Sequence, residues 1–194
     1  MKNKNVFVIL SLVFILLMAS AYVLYHNLSG TVEGNQLIVA TQPSSTTAPT
    51  DTTEPLLLAP DFVVYDENGN EVHLYDYIGK PIVLNFWASW CGPCKMEMPD
   101  FNERYLQLGD EIHFLMINMT DGARETLDIA KAFIADSGYS FPVLYDANQE
   151  AAMTYGISSL PTTFFIGADG AMVAYAMGAI DGETLQRGID MITE

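Results

Sequence analysis

Cysteine is almost absent from this 194-residue chain: there are two, Cys91 and Cys94. Two thiols fall short of the four ligands of a structural zinc site, and the three histidines, His26, His73 and His113, are too dispersed to complete one. No cysteine lies near the N-terminus, which excludes a lipid-modified cysteine anchor. Basic side chains are also scarce, with eight Lys and Arg against 24 Asp and Glu. Beyond residue 25, six basic residues face all 24 acidic ones, a formal charge of −18. That balance makes nucleic acid and anionic lipid surfaces poor partners, and its ordinary consequence is solubility. Ten methionines suggest copper, but their spacing fits core packing better.

No Lys or Arg occurs between Lys4 and Lys80, and this gap contains the one long uncharged apolar run, Val6 to Tyr25. Twenty such residues are enough to span a bilayer as a helix. Lys2 and Lys4 precede the run, so residues 1–5 are expected in the cytoplasm and the remainder outside. Ala19-Ser20-Ala21 offers a cleavage site, yet Tyr22-Val23-Leu24-Tyr25 continues the run, so residues 6–25 read as an uncleaved signal-anchor. Residues 26–55 are rich in Ser, Thr and Pro and too poor in apolar side chains to fold alone; they read as a tether. Within them Leu37-Ile38-Val39-Ala40 is an apolar interruption without an assignment. Residues 56–194 are enough for one domain with a single core.

The two cysteines sit in Trp90-Cys91-Gly92-Pro93-Cys94. A β-branched run, Ile82 to Trp87, leads into them and a helical pattern follows, which puts Cys91 where a buried strand meets a helix N-terminus. Unpaired N–H groups and the positive end of the helix dipole there favour a thiolate, making Cys91 the attacking sulfur and Cys94, one turn on, the resolving one. The segment Phe86 to Lys95 resembles the thioredoxin active-site segment nearly end to end. Ala59-Pro60-Asp61-Phe62, a hairpin about Asn68-Gly69 and the step Gly79-Lys80-Pro81 are similar to the membrane-anchored TlpA/ResA/CcmG branch. The resemblance implies an α/β thioredoxin fold: a central mixed β-sheet flanked by helices, with an N-terminal β-hairpin and a central helix–strand insertion.

The remaining pattern agrees with that plan. Cys94, Met98, Phe101, Tyr105 and Leu108 form one helix face, with a kink expected at Pro99. Strands are expected at 112–118, 141–146 and 162–166, and a hairpin at Gly167 to Gly170. Helices are expected at 124–137, 148–155 and 181–192. Glu97 lies three residues after Cys94, on the same face. Position alone makes it a surface glutamate; the resemblance makes it the active-site glutamate that exchanges a proton with Cys94. Thioredoxin's buried Asp is replaced here by Asn85, which cannot act as a base. The resemblance likewise makes Pro161 a cis proline opposite the cysteines and Leu160 the backbone contact for substrate. Trp90, Gly92 and Pro93 complete the surface a partner would touch, while Trp87 reads as core.

The function expected from these residues and that branch is an extracytoplasmic, membrane-tethered thiol–disulfide oxidoreductase of bacterial type, with no cofactor or metal beyond its redox-active cysteine pair. The Gly-Pro between the cysteines resembles the reducing members, which favours protein-disulfide reduction. Apocytochrome c is the implied type of substrate and a membrane protein of the CcdA/DsbD type the implied electron donor. A peroxiredoxin-like thiol peroxidase and a non-enzymatic copper- or thiol-binding module are the competing readings.

Overall fold

The computed structural model describes residues 13–14, 16–20, 35–40 and 57–193. By its contacts the chain divides into two units, Met1–Glu33 and Gly34–Glu194. In the first, residues 13–14 and 16–20 are helical with exposed side chains. Among the described residues no helix is long and apolar enough to cross a membrane. The expected cytoplasmic terminus, and most of the expected anchor and tether, lie outside the described residues.

The second unit is built on one eight-stranded sheet. In chain order its elements are β1 (Ile38–Val39), β2 (Val63–Tyr65), β3 (Glu71–His73), a 3-10 turn (Leu74–Tyr77), β4 (Ile82–Trp87), α1 (Gly92–Leu108) and β5 (His113–Asn118). There follow α2 (Leu127–Ser137), β6 (Val143–Tyr145), α3 (Glu150–Thr154), β7 (Thr162–Ile166), β8 (Met172–Met177) and α4 (Gly182–Thr193). The strand order is β1-β8-β7-β4-β5-β6-β2-β3. β4 pairs parallel with β5 and antiparallel with β7, so the sheet is mixed, as a thioredoxin-like fold requires.

β4 is buried at all six positions because it is covered on both faces, which is why it reads as a continuous apolar run without alternation. Val83 and Trp87 join a layer with Met98 and Phe101 of α1 and Leu185 and Ile189 of α4. Ile82, Leu84 and Phe86 point the other way, onto Phe62, Val64, Leu74 and Ala151. Asn85, between Val83 and Trp87, is the one polar residue in this strand and is fully buried. α1 runs unbroken through Pro99.

Two stretches differ from their expected form. α2 begins at Leu127 rather than at 124, with the Thr126 hydroxyl accepting the Ile129 N–H. The cause lies upstream: the Asp121 carboxylate accepts the N–H groups of Ala123, Arg124 and Glu125, a local alternative to helix that holds these residues in a loop. The unassigned Leu37–Ala40 stretch contains β1, an edge strand pairing Ile38 with Tyr175 and Val39 with Ala174. So part of the stretch read as tether belongs to the folded unit.

α4 reaches the sheet through Gly188. A Cβ there would run into Cε1 and Cζ of Phe165, a fully buried ring on β7. Gly188→Ala is expected to lower stability by about 1–3 kcal/mol through overpacking. Urea denaturation checks this: the midpoint falls with an unchanged m-value, whereas an unchanged midpoint contradicts the close approach.

Candidate active site

Cys91 is the N-cap of α1, with extended backbone (φ −79°, ψ 110°). Its Sγ accepts the Cys94 N–H at 3.2 Å, in the position an N-cap oxygen takes in other helices. Pro93 stands in the first turn, where its missing N–H costs nothing. Cys91 and Cys94 are joined in a disulfide, with S–S 2.07 Å. Cys94 is fully buried and Cys91 is 4% exposed, while Gly92 and Pro93 are exposed beside them. Cys91 is thus the less buried of the two and borders the exposed Gly92 and Pro93.

Glu97 is 1% exposed, on the α1 face that carries Cys94. Asn85 Nδ2 donates to its Oε1 at 2.8 Å and to Thr163 Oγ1 at 3.0 Å; the Ile180 N–H donates to its Oε2 at 3.0 Å. Desolvation pushes the Glu97 carboxyl from the ordinary 4.5 up to about 8. The two hydrogen bonds oppose that rise and the nearby Asp100 charge adds to it. A carboxyl that titrates near neutral pH can both accept and return a proton under working conditions. Asn85, unable to act as a base, orients this one.

The Leu160–Pro161 peptide bond is cis. Leu160 packs against the core cluster that contains Cys91 and Cys94, and with Trp90 it lines a cavity of about 220 Å³ also bordered by Met119, Asp121, Gln149 and Ser158. Trp90 is 40% exposed. The Arg124 guanidinium lies 3.8 Å from the centre of its ring, fixing the indole as one wall of the cavity. Trp87 is wholly buried beneath, its ring 5.7 Å from Phe133. Lys95 Nζ lies 5.5 Å from the centre of the Phe133 ring.

One residue of the site escaped sequence reasoning. Glu125 is fully buried and accepts three hydrogen bonds: the Ser89 N–H and Asn118 Nδ2 on Oε1, and Ser89 Oγ on Oε2, at 2.8, 2.7 and 2.6 Å. It ties the Asp121–Glu125 loop to the segment just before Cys91, while Arg124 next to it holds Trp90. Placing Glu125 inside an expected helix hid this role, and the Asp121 turn was the available signal.

The AhpC/TSA family model matches residues 57–175. The chain belongs to the AhpC/TSA family. Within it, the thiol–disulfide oxidoreductase ResA of Bacillus thuringiensis (strain Al Hakam) is 41% identical over 138 residues, which are 70% of this chain and 76% of that protein. Among solved structures, a DsbF homologue from Corynebacterium diphtheriae aligns with TM-score 0.63 at 27% identity, covering 79% of this chain and 98% of its own. StoA from Bacillus subtilis aligns with TM-score 0.58 at 26% identity, covering 70% and 99%. The family member described here is a thiol–disulfide oxidoreductase of the ResA/DsbE type with a thioredoxin-like fold. Disulfide-containing proteins are the substrate class that activity implies.

The Glu97 environment carries a stability consequence. The folded chain keeps Glu97 protonated until about pH 8, while the unfolded chain ionises it near 4.5. The unfolded state thus binds fewer protons across that window, and folding stability falls as pH rises through it. Glu97→Gln removes this loss. Its stability relative to the parent, from urea midpoints, is expected to climb between pH 4.5 and 8 and then level off; a pH-independent difference contradicts the assignment.

Proposed function

We propose that this oxidoreductase is a membrane-tethered reductase of protein disulfides on the outer side of a bacterial membrane. The observation that carries the reading is the Cys91–Cys94 pair above a buried carboxyl, Glu97, on the same helix. In the reduced enzyme the Cys91 thiolate, favoured by the N-terminus of α1, attacks a target disulfide. One S–S bond breaks, a mixed disulfide forms, and the first target sulfur leaves as thiolate. Glu97, as carboxylate, takes the proton of Cys94. The Cys94 thiolate then attacks Cys91 Sγ, expelling the second target sulfur. Two electrons pass to the target and the enzyme is left as the disulfide.

The Leu160 backbone beside cis Pro161 offers an extended substrate its pairing edge, and Trp90, Gly92 and Pro93 form the exposed face around Cys91. An oxidising exterior does not regenerate a dithiol, so the cycle requires electrons carried across the membrane. A membrane protein of the CcdA/DsbD type fits that requirement, and apocytochrome c before haem attachment fits the substrate. The ResA-named relatives support this reading over a peroxidase or a copper-binding module. The apolar run 6–25 would hold the domain at the membrane surface.

Two variants test the chemistry. Cys94→Ser is expected to accumulate a mixed disulfide through Cys91 with a disulfide-bonded peptide, and to consume hydrogen peroxide no faster than a free thiol; rapid peroxide turnover would favour the peroxidase. Glu97→Gln is expected to slow exchange by roughly 10²-fold or more, the range for a lost general base, and to remove the step near pH 8 from the pH–rate curve. An unchanged curve removes Glu97 as proton carrier.

A further inference from the structure

Glu97 is not sealed by the core alone. It lines a cavity of about 240 Å³ whose other walls are Asn35, Met96, Asp100 and the Ala179–Asp181 turn. Asn35 is exposed and meets Asp181, another wall of this cavity, across 146 residues of sequence. Its Oδ1 accepts the Asp181 N–H at 2.7 Å and its Nδ2 donates to Asp181 Oδ2 at 2.8 Å, a two-point clamp on one residue. The residue before it in the turn, Ile180, is the one whose N–H donates to Glu97 Oε2. Asn35 adopts φ 74°, the left-handed region that Asn and Gly tolerate, and β1 then pins the segment to β8, with the Ala40 N–H donating to Val173 O at 2.9 Å. This geometry aims the amide at the turn.

We infer that Asn35 is a positioning residue of the active site: by clamping Asp181 it holds the Ala179–Asp181 turn closed over Glu97, keeping the carboxyl dry and the Ile180 N–H on its Oε2. The inference deepens, and rests on, the reading of Glu97 as the proton carrier. The segment between the apolar run and the domain thereby acts on the reaction as well as connecting the two. The charged groups around Glu97 are few. Asp100 comes from α1 and Asp181 from the turn; Arg187 of α4 reaches the Asn35 carbonyl oxygen at 3.5 Å and Glu183 at 3.6 Å. β4 and β7 contribute the neutral Asn85 and Thr163, and the disulfide does not titrate.

Asn35→Gly keeps the left-handed backbone and deletes only the clamp. Releasing the turn admits water, which both hydrates the carboxylate and replaces the lost N–H donor, so Glu97 should ionise at lower pH. The test follows the Glu97 carboxyl band of the full-length oxidised protein by infrared titration, with Glu97→Gln as the reference that identifies the band. Asn35→Gly is expected to move the midpoint down by about one pH unit. An unchanged or raised midpoint overturns the inference. The rate measurement separates the two claims: if Glu97→Gln leaves the pH–rate curve unchanged while Asn35→Gly still lowers the midpoint, the proton-carrier reading fails and the positioning role stands.

Discussion

The hydrogen bond from the Cys94 N–H to Cys91 Sγ is the contact on which the site depends, because it makes the reactive sulfur the cap of a helix. The same N–H groups and helix dipole that a capping oxygen would satisfy are available to a thiolate. Left alone, that arrangement would stabilise the reduced form strongly and make the pair an oxidant. The first turn of α1 carries no acidic residue, but one turn further in stands Glu97, with Asp100 beyond it. Glu97 is protonated below about pH 8, and once ionised it opposes a second negative charge nearby. Above that pH the buried acid therefore works against the helix N-terminus and favours loss of electrons from the dithiol.

Holding a carboxyl in that position constrains the fold around it. β4 has to be covered on both faces, and its one polar residue, Asn85, has to point at Glu97. α4 has to lie close enough to the sheet to bring the Ile180 turn over the acid, and Gly188 against Phe165 is how it approaches. In the segment leading to the cysteines, the buried Glu125 fixes Ser89 and Arg124 fixes Trp90. Two buried glutamates thus serve the site with different partners. Glu125 accepts three hydrogen bonds, while Glu97 accepts two and is pushed to titrate near pH 8.

Much of this was legible in the residues. The apolar run ending at Trp87, the C-x-x-C spacing and the helical pattern after it place Cys91 at a strand–helix junction by local rules, and the structure has it there. Most of the strand and helix pattern from Phe62 onward follows from periodicity for the same reason. What was not legible is contact between distant segments. Asn35 meets Asp181 across 146 residues and Glu125 meets Ser89 across 36, and neither pairing leaves a trace in spacing or composition. β1 has two residues, too short for a periodic signal, and it forms because β8 offers a free edge. The start of α2 was misplaced for a local reason, the Asp121 carboxylate capturing three backbone N–H groups.

The proposal that this dithiol is a reductant requires that the helix N-terminus stabilise the Cys91 thiolate only moderately, and a single equilibrium quantity reports it. That quantity is the reduction potential of the Cys91–Cys94 pair in the full-length protein, measured against glutathione or dithiothreitol buffers at pH 7. The account predicts a value near that of thioredoxin, about −270 mV. A value near about −120 mV, that of strong disulfide donors, would contradict it: the helix N-terminus would then dominate, and the protein would oxidise its targets.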